Sequence, residues 1–345
     1  MGECIKMAKY KVLYPDVLSA DHNAVERELS GDVVEFLIYN ESNASNIGDD
    51  VWGSAQAMVT GLSMRIDAPV VAKLEECKII ARLGVGYDLI DIEAAGAKGI
   101  AVCNVPDYGT NEVADHAIAL LLSLTRGISQ YTETYRNAGS DGWDYKITPV
   151  MTRMVGKRFG VVGLGRIGTA AAMRAKGFGM NVIAYDPYVP HGQELALQID
   201  RAASLEDLLS SADFVSIHSP LTDETHHLIN ETAVSKMKKG AILVNTARGG
   251  ICDLDAIYTG LKSGHLAAAG LDVFEHDPPA DVHPLIAAWR AREDWLEGRF
   301  VATPHSAFFS PTSSRELREK AIMTCINHLQ NGHLRNCVNL EFLST

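Results

Sequence analysis

The sequence predicts an α/β fold with parallel sheets, and three observations carry that expectation. Apolar runs of strand length alternate with segments of helical spacing through the first hundred residues. The alternation restarts after residue 158, beyond a stretch with no clean period. At the restart, a glycine-rich turn joins an apolar run to a helical one. The 345 residues, at roughly 150 per domain, suit two domains that each bury a core without a disulfide or metal staple.

In chain order, Lys11–Tyr14, Val33–Leu37, Ala57–Val59, Lys78–Arg82 and Ile100–Cys103 read as strands, with Asp21–Leu29 at helical spacing after the first. Glu112–Thr125 is apolar and helical. Residues 127–158 differ: Tyr131, Tyr135, Trp143 and Tyr145 stand among glycines and polar residues, so these aromatics need cover either from their own domain or from another subunit. Phe159–Val162, Asn181–Tyr185, Phe214–His218, Ala241–Asn245 and Ala267–Asp272 then read as five strands of a second unit.

Charge and composition exclude several classes. Acidic residues outnumber basic ones by 43 to 31, a formal charge of −12 that opposes non-specific binding to nucleic acid or anionic membranes. No apolar run approaches the ~20 residues of a membrane span. There is no signal-peptide pattern, and six cysteines are scattered without a CxxC pair, so the expectation is a cytoplasmic protein with reduced thiols. His226 and His227 are adjacent with no ligand-spaced cluster in sequence, and no metal is expected.

The strongest motif is Gly163-Leu164-Gly165-Arg166-Ile167-Gly168, placed between the strand Phe159–Val162 and the helical run Thr169–Phe178. Glycine at 163, 165 and 168 permits a tight turn, close approach of a pyrophosphate, and close helix–strand packing. The helix N-terminus then faces the phosphates with unpaired N–H groups. Asp186 closes the next strand, where a carboxylate holds the adenosine ribose and repels a 2′-phosphate, favouring NAD over NADP. The bland alternative for Asp186 is a turn cap before Pro187. Arg248 stands just past the apolar strand 241–244, where a permanently charged guanidinium can grip a carboxylate or carbonyl with two donors.

With this fingerprint in mid-chain, the sequence resembles the D-isomer-specific 2-hydroxyacid dehydrogenases. The match is carried further by Asn245–Gly250, Gly270–Glu275 and Thr303-Pro304-His305-Ser306, and spans Arg82–Asp88 to Asn336–Asn339. Ala101–Pro106, Tyr185–Tyr188, His226–Asn230 and Asn336–Asn339 are most similar to the C-terminal-binding-protein-like branch. The resemblance implies two Rossmann-like domains, one flavodoxin-like and one NAD-binding, with the cofactor domain inserted into the substrate domain. It places residues 108–307 in the NAD-binding domain and 1–107 with 308–345 in the substrate domain, with the cleft between them holding the chemistry. It also implies a homodimer with its dimerisation arm near 127–158.

The same resemblance assigns roles. His305 is the acid–base histidine, a group suited to proton exchange near neutrality. Arg248 is the catalytic, substrate-anchoring arginine. The family's glutamate, which pairs with the histidine and raises its pKa, falls on Asp277, one methylene shorter, with Glu275 a competitor at the wrong offset. Arg166, Ile167, His218 and the loop after it, Thr246, Ala247 and Asp272 are implied cofactor contacts, Asp272 at the nicotinamide carboxamide. Arg82 and the Gly84-Val85-Gly86 loop, with Val85 and Gly86 presenting backbone N–H groups, are implied substrate contacts. Phe308 is a candidate pocket wall, although that branch carries tryptophan there. The implied activity is reduction of a small 2-oxo acid to a D-2-hydroxy acid with NAD. The alternative is an NAD-sensing regulatory or scaffold protein. Residues 285–298, with Trp289 and Trp295, form a stretch longer than usual, read as an amphipathic helix over the cleft or a surface insertion.

Overall fold

The computed structural model describes residues 9–17 and 21–343, so Cys4 lies outside the described residues. The chain divides into two compact units, one formed by residues 1–109 with 310–345 and the other by Thr110–Phe309.

The first unit holds a five-stranded sheet of β1 (Tyr10–Tyr14), β2 (Val34–Ile38), β3 (Ala57–Thr60), β4 (Ile79–Arg82) and β5 (Ala101–Cys103). The spatial order is β2-β1-β3-β4-β5 and every pairing is parallel, which is the flavodoxin-like order. β3 and β4 are buried along their whole length because both faces are covered. On one face Leu13, Met58 and Ile80 pack with Trp52, Ile66 and Leu74. On the other, Val12, Val59 and Ala81 meet Leu317, Ile322 and Cys325 of the C-terminal helix Pro311–Asn331. That helix opens with a capping box between Ser310 and Ser313 and a proline in its first turn.

A buried asparagine fastens the chain's end to this sheet. Asn339 Oδ1 accepts from Val102 N at 2.8 Å, and Asn339 Nδ2 donates to Ile100 O at 3.0 Å and Ile92 O at 3.2 Å. Val338 N donates to Val102 O, and Cys103 and Cys337 form an isolated antiparallel bridge.

The second unit carries seven parallel strands: β6 (Arg158–Val162), β7 (Asn181–Tyr185), β8 (Asp200–Arg201), β9 (Phe214–Ile217), β10 (Ala241–Asn245), β11 (Leu266–Leu271) and β12 (Phe300–Ala302). Their order is β12-β11-β10-β9-β6-β7-β8. Counted from β6, the first six strands have the doubly wound order of dinucleotide-binding sheets, with the switch point between β6 and β9. Apolar clusters cover both faces, which is why β10 is buried at all five positions. Five of these strands are the ones predicted. β8 and β12 escaped the sequence analysis because two or three residues at a sheet edge leave no readable period.

Residues 127–158 are more regular than their composition suggests: Ile128–Ala138 is a helix, followed by a tight turn at Gly139–Gly142. Within the chain the aromatics are little covered. Tyr135 and Trp143 stack edge-on at 5.2 Å, yet Trp143 and Tyr145 are each 79% exposed. The 285–298 segment contains the helix Pro284–Arg290, whose Leu285, Ile286 and Ala288 join the core of this unit with Leu296. Trp295 meets Tyr258 edge-on under the Lys262 ammonium, and Trp289 meets Phe300. The segment is therefore an amphipathic piece anchored on its own unit by Leu285, Ile286, Ala288 and Leu296, with its tryptophans at the edge of that core.

Asn339→Ala is expected to strand the Val102 N–H and two carbonyls, destabilising the chain by about 2–3 kcal/mol. Urea unfolding checks this through the midpoint, and an unmoved midpoint contradicts it.

Candidate active site

At the end of β6 the chain turns through Gly163 at φ +92°, where a Cβ would lie 2.6 Å from Ser219 N and 2.8 Å from the His218 carbonyl carbon. A Cβ on Gly168 would lie 2.0 Å from Gly163 O, so the helix Arg166–Gly177 sits directly on the turn. At Gly165 the same test meets nothing within 4 Å, and the helix has no side-chain N-cap bond. Two glycines thus close the turn, while the third leaves an open approach to an uncapped helix end, the form a pyrophosphate requires. Arg166 is exposed and Ile167 half-buried beside it.

Asp186 follows β7 and ties this loop together. Its Oδ2 accepts from Leu164 N at 2.8 Å, and its Oδ1 from Tyr188 N at 2.9 Å and Val189 N at 3.2 Å. The carboxylate caps the turn before Tyr188 and remains half-exposed, so capping does not consume it. Across the switch point, the Ser219 and Thr246 hydroxyls are buried with no hydrogen-bond partner among the described residues. Buried polar groups normally find partners. Two orphan hydroxyls after β9 and β10, on the glycine loop's side of the sheet, fit a bound polar molecule such as NAD. His218 turns away: its Nε2 lies 2.8 Å from Ser216 Oγ, and burial pushes its pKa down to about 4. Its described bonds are the backbone one to Val162 and this inward one, so Ser219, on the loop after it, is the better-placed side chain.

After β10, the loop carrying Thr246, Ala247 and Arg248 is shaped by buried Asn245. Asn245 Oδ1 accepts from Ala247 N at 2.9 Å, and Nδ2 donates to Arg248 O at 2.9 Å. Arg248 is half-buried and its Nη1 donates to Ala247 O. A Cβ on Gly249 would fall 1.8 Å from the Phe274 carbonyl carbon. Only glycine lets the arginine loop lie against the segment that carries Asp277.

Asp277 and His305 come from loops 28 residues apart and meet, Nδ1 to Oδ2, at 2.8 Å. Asp277 Oδ1 accepts from Phe274 N, which turns the shorter side chain toward the ring. His305, at φ +49°, is fixed by its own N–H to Asp272 O and Thr303 O. Phe308 lies edge-on to the imidazole at 6.2 Å, and Phe309 is exposed.

Two sequence expectations change here. The side chain of Asp272 is fully enclosed, so it offers no exposed oxygen to a nicotinamide carboxamide. It faces the His305 segment instead: Oδ1 accepts from Thr303 Oγ1 at 2.6 Å and Ser306 N at 2.9 Å, and Oδ2 from Ala307 N at 2.9 Å. Because the Thr303 hydroxyl donates its only proton to Asp272, His116 Nε2 must donate to Thr303 Oγ1, at 2.9 Å. No sequence pattern points to His116, which lies inside an apolar helix 187 residues away. The second change concerns His226 and His227, which do acquire a third ligand-type neighbour: Glu275, 48 residues on from His227.

In the other unit, Arg82 ends β4 and is 5% exposed, its guanidinium so close to Gly84 that a Cβ there would meet Nη1 at 2.0 Å. Asn104 Nδ2 donates to Val85 O at 2.6 Å, and Val105 N to Gly84 O, which fixes the loop through Gly86.

The second unit thus combines a doubly wound sheet, an open glycine cradle at its switch point and a histidine–carboxylate pair on loops of the same unit. Residues 118–307 match the family described as the D-isomer specific 2-hydroxyacid dehydrogenase NAD binding domain, and the chain belongs to that family. Its cofactor class is NAD. A D-3-phosphoglycerate dehydrogenase of Methanocaldococcus jannaschii is 37% identical over 316 residues, 92% of this chain and 56% of that protein. The chain thus spans about half the length of this curated relative. A solved protein from Thermus thermophilus superposes with a TM-score of 0.82 at 33% identity, covering 95% of this chain and 99% of that one. D-lactate dehydrogenase from Aquifex aeolicus, complexed with NAD and lactic acid, gives 0.80 at 27% identity, covering 96% and 97%.

The inward His218 sets a pH dependence. Its folded pKa of about 4 lies below the ordinary 6.5, so the unfolded chain takes up a proton first as pH falls. The stability present above pH 6.5 is lost progressively toward pH 4. His218→Asn is expected to lose less Tm than the wild type between pH 7 and 5; parallel slopes contradict the assignment.

Proposed function

We propose that the protein interconverts a small 2-oxo acid and the corresponding D-2-hydroxy acid. The observation that carries this is the 2.8 Å contact between His305 Nδ1 and Asp277 Oδ2, in a unit whose Arg248 loop lies against the same segment. NAD(H), when bound, supplies or accepts the hydride at the substrate's 2-carbon.

The residues of the chain do the rest. With Nδ1 committed to Asp277, His305 exchanges a proton with the substrate oxygen through Nε2. The Asp277 carboxylate stabilises the imidazolium and orients the ring. Arg248 grips the substrate carboxylate or carbonyl oxygen, holding the 2-carbon in place and drawing off developing negative charge. Gly163, Gly165 and Gly168, with the helix start at Arg166 and Ile167, receive the pyrophosphate. Asp186 receives the ribose, and Ser219, Thr246 and Ala247 bond the cofactor from the strand ends. Arg82, Val85 and Gly86 are proposed as substrate contacts on the strength of the family resemblance alone. Phe308, beside His305, limits the acid's side chain. Glyoxylate, hydroxypyruvate and larger apolar 2-oxo acids are the candidate class. We also assign the exposed arm at 127–158, with Trp143 and Tyr145, to a homodimer contact.

The test is NADH oxidation across a panel of 2-oxo acids. His305→Ala is expected to lower kcat by roughly 10²–10⁴-fold on the best acid. Asp277→Asn should cost less, and Asp277→Glu should restore most of the loss. NADH binding without turnover on any acid would favour the NAD-sensing alternative. In the same assay NADH should be preferred over NADPH, and Asp186→Ser should erode that preference; an unchanged preference removes Asp186 from the ribose role.

A further inference from the structure

We propose that His226, His227 and Glu275 form a site for one divalent transition-metal ion of the Zn²⁺ type, with water completing its shell. The three side chains bring their ligand atoms within 4.8 Å of one another, and they are the only such group among the described residues. His226 Nε2 lies 3.5 Å from Glu275 Oε1, and His227 Nε2 lies 3.2 Å from Glu275 Oε2. Ligand atoms about 2.0–2.1 Å from a tetrahedral zinc stand roughly 3.4 Å apart, so both imidazole–carboxylate separations already have the spacing of a shared ion. Two imidazoles and one carboxylate suit zinc chemically, while a hard calcium-type ion would need more oxygens.

The backbone supports the same inference. Adjacent side chains ordinarily diverge, yet the two imidazole rings stack at 4.1 Å and 19°, which brings both Nε2 atoms to one carboxylate; sharing an ion then requires the rings to rotate until their in-plane lone pairs converge. They stack because His227 adopts φ +48°, a conformation uncommon for a non-glycine residue. The neighbouring backbone holds it there: His227 N donates to Gly250 O at 2.8 Å, and Ile229 N to Ile251 O at 3.0 Å. All three side chains reach solvent, so an ion can enter.

The ion would join two loops that the chain brings together. Glu275 stands between Phe274, whose N–H holds Asp277 Oδ1, and Asp277 itself. Binding to the 226–227 turn would therefore clamp the segment that presents Asp277, without touching His305. The site stands independently of the activity proposed above.

The test titrates Zn²⁺ alone into chelator-treated full-length protein by calorimetry, with Co²⁺ absorption as a second readout. One equivalent should bind with micromolar or tighter affinity, and Co²⁺ should give the visible bands of a four- or five-coordinate ion. Glu275→Gln and His227→Asn should each weaken binding by about tenfold or more; asparagine tolerates positive φ, so the turn is preserved. His226→Asn provides a third variant if either of these fails to fold, judged by circular dichroism. Absence of binding overturns the proposal. So does binding that folded variants leave unchanged, because the ion then sits elsewhere.

Discussion

The carboxylate of Asp272 is the constraint on which the placement of the His305 segment depends. It is enclosed, so leaving its oxygens unpaired would be costly, and three donors satisfy it: the Thr303 hydroxyl and the N–H groups of Ser306 and Ala307. Those donors bracket His305, whose own N–H returns to Asp272 O. The backbone on both sides of His305 is thus held by one buried carboxylate just past β11, while Asp277 holds the ring. His116 completes the arrangement by donating to Thr303, which reserves the threonine proton for Asp272.

Glycine contacts perform the second part of the assembly. Gly249 lets the Arg248 loop rest on the Phe274 backbone, Gly163 lets the phosphate turn rest on residues 218–219, and Gly168 seats the helix on Gly163. The first two contacts each bring two loops within van der Waals distance, and the third seats a helix on its own turn. The guanidinium, the carboxylate–imidazole pair and the nucleotide cradle all belong to the same compact unit. The paired histidines at 226–227 belong to the same set of contacts, through Gly250.

The two sheets and their parallel sense were legible because strands buried on both faces read as apolar runs, and because Gly163–Gly168 sits between a strand and a helix. Arg248 and His305 were legible through the motifs around them. Other features were hidden for identifiable reasons. The helix 128–138 is polar on most of its surface and leaves no buried residue to mark a period. The short β8 and β12 owe their existence to the neighbour they pair with. The family resemblance placed Asp272 at the cofactor, yet the direction of its side chain depends on donors 31 to 35 residues away.

By itself, the sequence determined which segments form the buried strands and where the chain must turn through glycine. These follow from local hydrophobic period and from residue type, which need no knowledge of distant neighbours. Only the tertiary structure decided the pairings: Asp277, and not Glu275, to His305; Glu275 to two histidines; His116 to Thr303. A hydrogen bond needs its partners within about 3 Å, and such proximity between loops far apart in the chain is set by strand order and backbone packing.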